Sequence, residues 1–338
     1  MILVTGSTGL VGSHLLYELV KQNKIVRALI RSKIRIELVK KVFSYYTDKP
    51  EELIKSIEWV EGDMLDLVSL NKAFFDVEQV YHCAAIVSIG GKNKKQLIDA
   101  NVVGTENVVN MCLTHQVEKL CHVSSIASLG NSLNGELIDE NSAWAASKNH
   151  SAYSISKFKS EMEIWRGIQE GLNAVIVNPS VIIGPGFWYS GSGSLFAKVA
   201  KGMKYYTSGS TGFVDVRDVS DSMIKLMNSD IHSERFIINS ENLNYKELFD
   251  CISNVIEVKS PTKEATKKLL KIAVIFDSIA SMLRIKKKEI TTSVVRASLS
   301  KSKYSNNKIK EAIKKTFISV SDSVADTADK FKKELTIS

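Results

Sequence analysis

The sequence predicts an α/β fold, a doubly wound parallel sheet with a smaller, mostly helical C-terminal lobe. Three observations lead to this prediction. Short β-rich runs alternate with amphipathic stretches through the first half of the chain, which is typical of βαβ units. A glycine-rich turn, residues 5–12, joins the first of these runs to the first helical stretch. The alternation stops in residues 259–338, which are basic and helical in pattern.

The predicted strands are short apolar runs, residues 2–4, 25–30, 57–60, 80–83, 120–123, 174–177 and 236–238. Residues 12–22 and 100–115 carry apolar side chains at helical spacing. Open α/β sheets bind ligands beyond the carboxyl ends of their strands. We therefore expect two units, a cofactor-binding domain of residues 1–180 and 213–240, and a substrate-binding lobe of residues 181–212 and 241–338.

The composition indicates a packed globular chain. Of the 338 residues, 44% are hydrophobic and 24% are charged, close to the average for globular proteins. The four cysteines are too widely spaced to form the framework of a small secreted domain, and Met1 leads directly into a predicted strand without a basic leader. We expect a cytoplasmic protein without a cleaved targeting peptide.

Positive charge is concentrated at the end of the chain. The net charge is +8, and residues 259–338 contain 19 lysines and arginines against 8 aspartates and glutamates. A solvated helical face is the main interpretation, and an anionic partner or a membrane surface is the alternative. The lysines lack interleaved aromatic residues and a recognised binding module, so no nucleic acid partner is predicted.

Residues 269–283, LLKIAVIFDSIASML, are the most apolar helix candidate. They are too few to span a bilayer, which takes about 20 apolar residues, and they include Lys271 and Asp277. We expect a helix that covers the substrate pocket or packs between subunits, without stable membrane insertion. A helix that lies on a membrane surface is the alternative.

The turn TGSTGLVG, residues 5–12, is predicted to bind the pyrophosphate of a dinucleotide. Its glycines are Gly6, Gly9 and Gly12, and Ser7, Thr8, Leu10 and Val11 complete the turn. Glycines let a phosphate approach the backbone N–H groups at the start of the first helix, where the helix dipole favours an anion. The G-x-x-G-x-x-G spacing differs from the G-x-G-x-x-G fingerprint, so the prediction depends on the strand before the turn and the helix after it.

The residue that ends the second strand predicts the cofactor. An NAD site would place Asp or Glu there to bond the ribose hydroxyls. This strand ends at Arg31, and Lys33 and Arg35 follow before the first acid, Glu37. A 2′-phosphate would meet positive charge there, so NADP(H) is the predicted cofactor and NAD(H) the alternative. The competing interpretation is that Arg31 only faces solvent.

Tyr153 and Lys157, in the sequence YSISK, are one helical turn apart and form the candidate acid–base pair. A phenol has a pKa near 10, which makes it a slow acid–base group at neutral pH, and a neighbouring ammonium group lowers that pKa. The fifth strand runs into Ser124 and Ser125, which places small hydroxyls at the carboxyl edge of the sheet. One of these hydroxyls is expected to bond a substrate carbonyl.

Together these features resemble the extended short-chain dehydrogenase/reductase family, which includes NAD(P)-dependent epimerases and dehydratases, and within it the dihydroflavonol-reductase-like branch. The motifs that carry the resemblance are TGSTGLVG (5–12), GDMLD (62–66), HCAA (82–85), NVVGTENV (101–108), SSIASLG (124–130), YSISK (153–157), NPSVIIGP (178–185) and VDVRDV (214–219). They are collinear over nearly the whole chain. The resemblance implies a Rossmann-type cofactor domain, and a homodimer is the usual arrangement of the family.

The resemblance also implies the role of each catalytic candidate. Tyr153 would be the general acid in reduction, and Lys157 would bind the nicotinamide ribose while lowering the pKa of the phenol. Ser125 would orient the carbonyl, with Ser124 as its nearest competitor. Asn101 would help to hold a proton-relay water, unless it is only a helix cap.

Further cofactor contacts follow from the same resemblance. They are Asp63 at the adenine with Met64 beside it, Ala84 and Ala85 along the groove, Pro179 near the carboxamide, and Arg31 at the 2′-phosphate. No metal site is predicted, because the pairs at residues 82–83 and 121–122 lack a C-x-x-C spacing and adjacent side chains alternate along a strand.

The predicted reaction is the reduction of an aldehyde or ketone, or the reverse oxidation of an alcohol, on a largely apolar small molecule. Three alternatives are a nucleotide-sugar epimerase or dehydratase, a 3β-hydroxysteroid dehydrogenase-like enzyme, and a non-catalytic NADP(H) sensor. Related sugar-acting enzymes commonly carry an acid at the position of Arg31, and the dehydratases carry Thr-Asp-Glu where this chain has Ile126-Ala127-Ser128. The pocket lining is expected in residues 86–91, 187–196 and 205–213.

Overall fold

A computed structural model describes residues 1–87, 94–130, 136–145, 150–282 and 291–337. Its strands are β1 (Ile2–Thr5), β2 (Val26–Ile30), β3 (Glu58–Glu61), β4 (Gln79–His82), β5 (Lys119–Val123), β6 (Ala174–Pro179), β7 (Val181–Ile183), β8 (Tyr205–Tyr206), β9 (Ser210–Asp215), β10 (Glu234–Ile238), β11 (Glu241–Asn244) and β12 (Lys263–Glu264). All seven predicted strands are present, with small shifts at their ends.

The helices are α1 (Leu10–Lys21), α2 (Ile36–Ser44), α3 (Pro50–Lys55), α4 (Leu67–Ala73), α5 (Lys94–Ile98), α6 (Gly104–Thr114), α7 (Ala152–Gln169), α8 (Gly193–Ala200), α9 (Val216–Met227), α10 (Tyr245–Ile256), α11 (Lys267–Met282), α12 (Thr292–Leu299), α13 (Asn307–Ile313) and α14 (Val320–Ile337). Within the described ranges, no helix combines the length and the apolar character needed to cross a membrane.

Seven parallel strands form the central sheet, in the order β10-β6-β5-β4-β1-β2-β3. The order reverses between β1 and β4, because the chain adds strands outward from β1 to β3 and then continues on the other side of β1. Parallel strands end at the same edge, so the turns after β1 and β4 lie next to each other there. This switch point is where doubly wound sheets bind ligands. The predicted α/β class is confirmed.

An apolar core lies on each face of this sheet. On β1, Leu3 belongs to one cluster, and Ile2 and Val4 belong to the other, as the alternation of a strand requires. Helices α1, α2 and α9 pack on one face, and α4, α6 and α7 pack on the other. Burial of each Leu or Phe in such a core contributes about 1.5–3 kcal/mol to the free energy of folding. The sheet is therefore stable, and it fixes the positions of the turns at its edge.

The C-terminal lobe also contains strands that were not predicted. Strands β11, β9 and β7 form a three-stranded sheet, and β12 pairs with β8. The sequence pattern of residues 259–338 is helical, and β12 is a short strand that this pattern does not predict. The expected domain boundary at residue 213 falls inside β9, so the small sheet includes residues from both sides of that boundary.

Part of the expected pocket lining belongs to a third apolar core. Trp188, Phe196 and Phe213 are buried and pack with α10 and α14. These three side chains therefore stabilise the lobe instead of facing a substrate, and the prediction is wrong for them. Of the lining predicted at residues 86–91, residues 88–91 lie outside the described ranges.

The last helix, α14, connects the lobe to the cofactor-binding region. Its Ser323 donates a hydrogen bond to Asp215, at the end of β9, at 2.6 Å. Arg217 forms an ion pair with the same carboxylate at 2.7 Å. Near the end of α14, Glu334 accepts a hydrogen bond from Tyr45, which follows α2. These contacts hold α14 against both parts of the molecule.

Candidate active site

The glycine turn lies against the end of the neighbouring strand β4. Gly6 has a φ of +64°, and a Cβ at this position would lie 2.5 Å from backbone atoms of Ala84. A Cβ at Gly12 would lie 2.2 Å from the carbonyl oxygen of Gly6. Helix α1 begins directly after Gly9, which provides no side-chain cap, so the first N–H groups of the helix are open to a ligand. The turn fits the pyrophosphate of a dinucleotide.

Arg31 is exposed and directly follows β2 at the same edge of the sheet. The hydroxyl of Ser7 in the glycine turn donates to the carbonyl oxygen of Leu29 at 2.8 Å, which ties the turn to the end of β2. Within the described part of the chain, Arg31 has no hydrogen bond or ion pair. Its guanidinium group is therefore available to an anion at this edge.

The other predicted cofactor contacts lie at the carboxyl ends of three strands of the central sheet. Asp63 and Met64 follow β3, Ala84 and Ala85 follow β4, and Pro179 ends β6. One carboxylate oxygen of Asp63 accepts the backbone N–H of Leu65 at 3.0 Å, which stabilises the turn that follows β3. Parallel strands end at the same edge of a sheet, so all five residues lie at the edge that carries the glycine turn. Their contacts with a cofactor stay a prediction.

Tyr153 and Ser125 meet although they belong to different elements. Tyr153 lies in the first turn of α7. The side chain of Ser151 caps the N-terminus of this helix by accepting the backbone N–H of Ser154 at 3.0 Å. Ser125 begins a short 3₁₀ turn after β5, and its side chain accepts a backbone N–H at 3.1 Å. Burial raises the pKa of the Tyr153 phenol, and hydrogen bonding with the Ser125 side chain opposes that rise. The two groups predicted to act on a carbonyl are therefore together.

Lys157 is buried one turn after Tyr153, and its Nζ donates to the carbonyl oxygen of Val123 at 2.8 Å. Burial lowers the pKa of this ammonium group to about 8, so it is mostly charged at neutral pH. Burial is the largest cause of the shift in the Tyr153 pKa, and the predicted lowering of that pKa by Lys157 stays a prediction. The ammonium group is directed to the end of β5.

Asn101 lies in a π-helical turn, Asp99–Val103, between α5 and α6. Its side chain accepts the N–H of Ile86 at 2.7 Å and donates to the carbonyl of Ile86 at 3.1 Å and to the hydroxyl of Ser156 at 3.0 Å. It therefore links the segment after β4 to the helix that carries Tyr153. The alternative of a helix cap does not apply, and π-helical turns are frequent at functional sites.

Glu161 is a buried carboxylate that the sequence analysis missed. It lies one turn after Lys157 on α7 and accepts hydrogen bonds from Ser124 at 2.7 Å and from Arg235 at 3.0 Å. The hydroxyl of Ser124 is thus committed to Glu161, and this geometry favours Ser125 as the serine of the site. The available signal was the spacing of residues 153, 157 and 161, which places all three on one helix face.

Two histidines lie side by side at the ends of β4 and β5. The rings of His82 and His122 have centroids 5.0 Å apart, and the two residues pair in register. His82 bonds Thr5 at 2.7 Å and Thr105 at 3.0 Å. Burial lowers the pKa of His82 to about 3, so its ring is neutral. In the described ranges, no group of three or more His, Cys, Asp or Glu side chains could hold a metal ion.

The sequence profile of the NAD dependent epimerase/dehydratase family matches residues 2–239. A putative dihydroflavonol 4-reductase from Synechocystis sp. is 26% identical over 267 residues, which cover 76% of this chain and 73% of that protein. Sterol demethylase protein B from Methylococcus capsulatus is 29% identical over 244 residues, which cover 71% and 70%. The crystal structure of gox2253 superposes with a TM-score of 0.82 at 26% identity, over 99% of this chain and 98% of that chain.

Proposed function

Because this chain belongs to the NAD dependent epimerase/dehydratase family, we propose that it reduces an aldehyde or ketone with NADPH and uses Tyr153 as the general acid. The family match confirms the resemblance predicted from the motifs, and the chain is an NAD(P)-dependent oxidoreductase. The observation that carries the proposal is the position of Tyr153 in the first turn of α7, one turn before the buried Lys157, whose Nζ donates to Val123 at the end of β5, next to Ser124 and Ser125.

The proposed mechanism assigns one task to each side chain. When bound, the dinucleotide supplies the hydride for the carbonyl carbon, and the turn at Gly6 would hold its pyrophosphate. The hydroxyl of Ser125 bonds the carbonyl oxygen, and Tyr153 donates its proton to that oxygen as negative charge develops. The product is the alcohol, and the phenolate regains a proton from water. Lys157 would bind the nicotinamide ribose.

Arg31 supports a preference for NADPH over NADH. Arg31 is exposed directly after β2, and the glycine turn is hydrogen-bonded to the end of that strand through Ser7. Arginine pairs with phosphate through two parallel hydrogen bonds. An acid at this position would repel the 2′-phosphate. NAD(H) stays the alternative cofactor.

The test follows NADPH absorbance with aldehydes, ketones, hydroxysteroids and nucleotide sugars as substrates. We expect oxidation of NADPH with at least one carbonyl compound, and a loss of about 10²–10⁴ in kcat for Tyr153→Phe with unchanged NADPH affinity. Tyr81→Phe is the matched control, because it removes a hydroxyl from a buried tyrosine of the β4 core.

Two results would contradict the proposed function. The first is a Tyr153→Phe variant that binds NADPH and keeps the parent rate. The second is conversion of a nucleotide sugar without net oxidation of NADPH while every carbonyl compound is left unchanged, which would indicate an epimerase.

A further inference from the structure

The exposed face of α11 is apolar. Leu269 is 36% exposed, Ile272 49%, Ile275 58% and Phe276 68%. Their spacing places them on one side of the helix, while Asp277 is buried on the other side. Contiguous exposed apolar side chains of this size are uncommon on monomeric proteins and indicate an interaction surface.

Lysines border this apolar face. Lys267, Lys268 and Lys271 are exposed in the first turns of α11. Among the residues that the structure describes, none of the three forms an ion pair or a side-chain hydrogen bond. The acidic residue of the helix, Asp277, is buried and does not neutralise them. An apolar strip beside lysines is the arrangement of helices that lie in the interfacial region of an anionic bilayer.

The charge of the surrounding segment favours the same partner. The stretch of sequence around α11, residues 259–296, carries 10 lysines and arginines against 3 acidic residues. Each lysine close to an anionic membrane contributes about 1 kcal/mol of attraction. A second copy of the chain is a poorer partner, because it carries the same net positive charge of +8, whereas an anionic surface carries the opposite charge.

We propose that α11 docks this protein on the surface of an anionic membrane. Leu269, Ile272 and Phe276 enter the boundary between headgroups and acyl chains, and Lys268 and Lys271 lie at the lipid phosphates. The contact is peripheral, since the 16 residues of α11 are fewer than the roughly 20 needed to span a bilayer. This inference does not depend on the proposed reductase activity.

The test is sedimentation of the full chain with phosphatidylcholine vesicles, with and without phosphatidylserine. We expect binding to the vesicles that contain phosphatidylserine, and weaker binding at high salt because the lysine charges are screened. Lys268→Glu combined with Lys271→Glu should lower the apparent affinity at least tenfold, because each lysine contributes about 1 kcal/mol of attraction to the anionic surface. Phe276→Ser should lower it about tenfold through the lost apolar burial.

Two control variants match these changes elsewhere on the surface. Phe75 is 65% exposed, so Phe75→Ser removes a similar side chain, and Lys24→Glu combined with Lys55→Glu makes the same charge change at exposed lysines. Both controls should bind like the parent, and all variants should keep the parent unfolding midpoint. Equal loss in the controls, or a parent that does not bind phosphatidylserine, would overturn the proposal. A parent dimer that Phe276→Ser dissociates in sedimentation velocity would overturn it in favour of a second copy.

Discussion

Single residues show why neighbouring hydroxyls take different roles at this site. Ser124 points to the buried carboxylate of Glu161, while Ser125 begins the next turn, and its side chain opposes the rise in the pKa of Tyr153. Successive side chains of an extended segment point to opposite sides, so only one of two adjacent serines can face Tyr153, the proposed general acid. The choice between them depends on the packing of α7 against β5.

Gly6 is the position where any side chain should damage the cofactor site. In Gly6→Ala, the positive φ costs about 1 kcal/mol and the overlap with Ala84 adds about 1–3 kcal/mol. We expect a lower free energy of unfolding and at least tenfold weaker NADPH binding in a fluorescence titration. Gly202→Ala is the control, because Gly202 has a φ of +79° with no atom within 4 Å of a Cβ. Equal effects of the two substitutions would show that the overlap is unimportant.

Arg31 should set the preference between the two cofactors. In Arg31→Asp, a carboxylate would repel the 2′-phosphate and accept hydrogen bonds from the ribose of NADH. We expect the ratio of kcat/KM for NADPH to that for NADH to fall at least tenfold. Lys24→Asp makes the same charge change at the opposite end of β2 and should leave the ratio unchanged. An unchanged ratio in Arg31→Asp would mean that this arginine only faces solvent.

At the scale of secondary-structure elements, the π-helical turn before α6 and the helix α7 form one supporting unit. The carbonyl oxygen of Asn101 accepts the hydroxyls of Thr105 at 2.7 Å and of Ser160 at 2.8 Å, and its side chain bonds Ile86 and Ser156. The extra residue of a π turn changes which side chains face inward, and here it turns Asn101 toward α7. The unit fixes the first turns of α7, where Tyr153 lies.

Asn101→Ala should therefore affect both stability and turnover. The partly buried N–H of Ile86 would lose its partner, which costs about 1 kcal/mol in the free energy of unfolding. A shift of α7 of even part of an ångström should lower kcat at least tenfold, with a smaller change in the KM for NADPH. Asn110→Ala, in α6 at the contact with Arg166, is the control and should retain kcat. Normal kcat in Asn101→Ala would remove the positioning role.

At the scale of the whole molecule, α14 joins the lobe to the cofactor-binding region through Asp215. Burial alone would raise the pKa of this carboxyl group, but hydrogen bonds from Arg217 and Ser323 outweigh burial and lower the pKa below its ordinary value of 3.8. A carboxyl whose pKa is lower in the folded state stabilises the fold above the unfolded pKa. That contribution is lost as the pH falls below about 4.

Ser323→Ala should destabilise the protein by about 1–2 kcal/mol at neutral pH, because it removes a buried hydrogen bond to a charged group. The difference from the parent in urea unfolding should shrink as the pH is lowered through 4. Ser321→Ala, at an exposed position one residue before Asp322, is the control and should be nearly neutral. A difference that stays constant down to pH 3 would contradict the assigned role of Asp215.

The central sheet was predictable from the chain because its signals are local. Each strand is a short apolar run. The glycine-rich turn at Gly6 and the i, i+4 spacing of Tyr153 and Lys157 can each be recognised within a few residues of sequence. Alternation and helical periodicity follow from backbone geometry alone, so the α/β class could be derived without coordinates, and Tyr153 and Lys157 could be named as a candidate acid–base pair.

Long-range packing settled the rest. The commitment of Ser124 to Glu161, the direction of the Lys157 ammonium group toward Val123, and the burial of Trp188 in the lobe all join segments far apart in the chain. The small sheet of β7, β9 and β11 was missed for the same reason, because its strands are short and are stabilised by their partners more than by their own residues. A hydrogen bond or a shared core between distant segments leaves no periodic signal in either one.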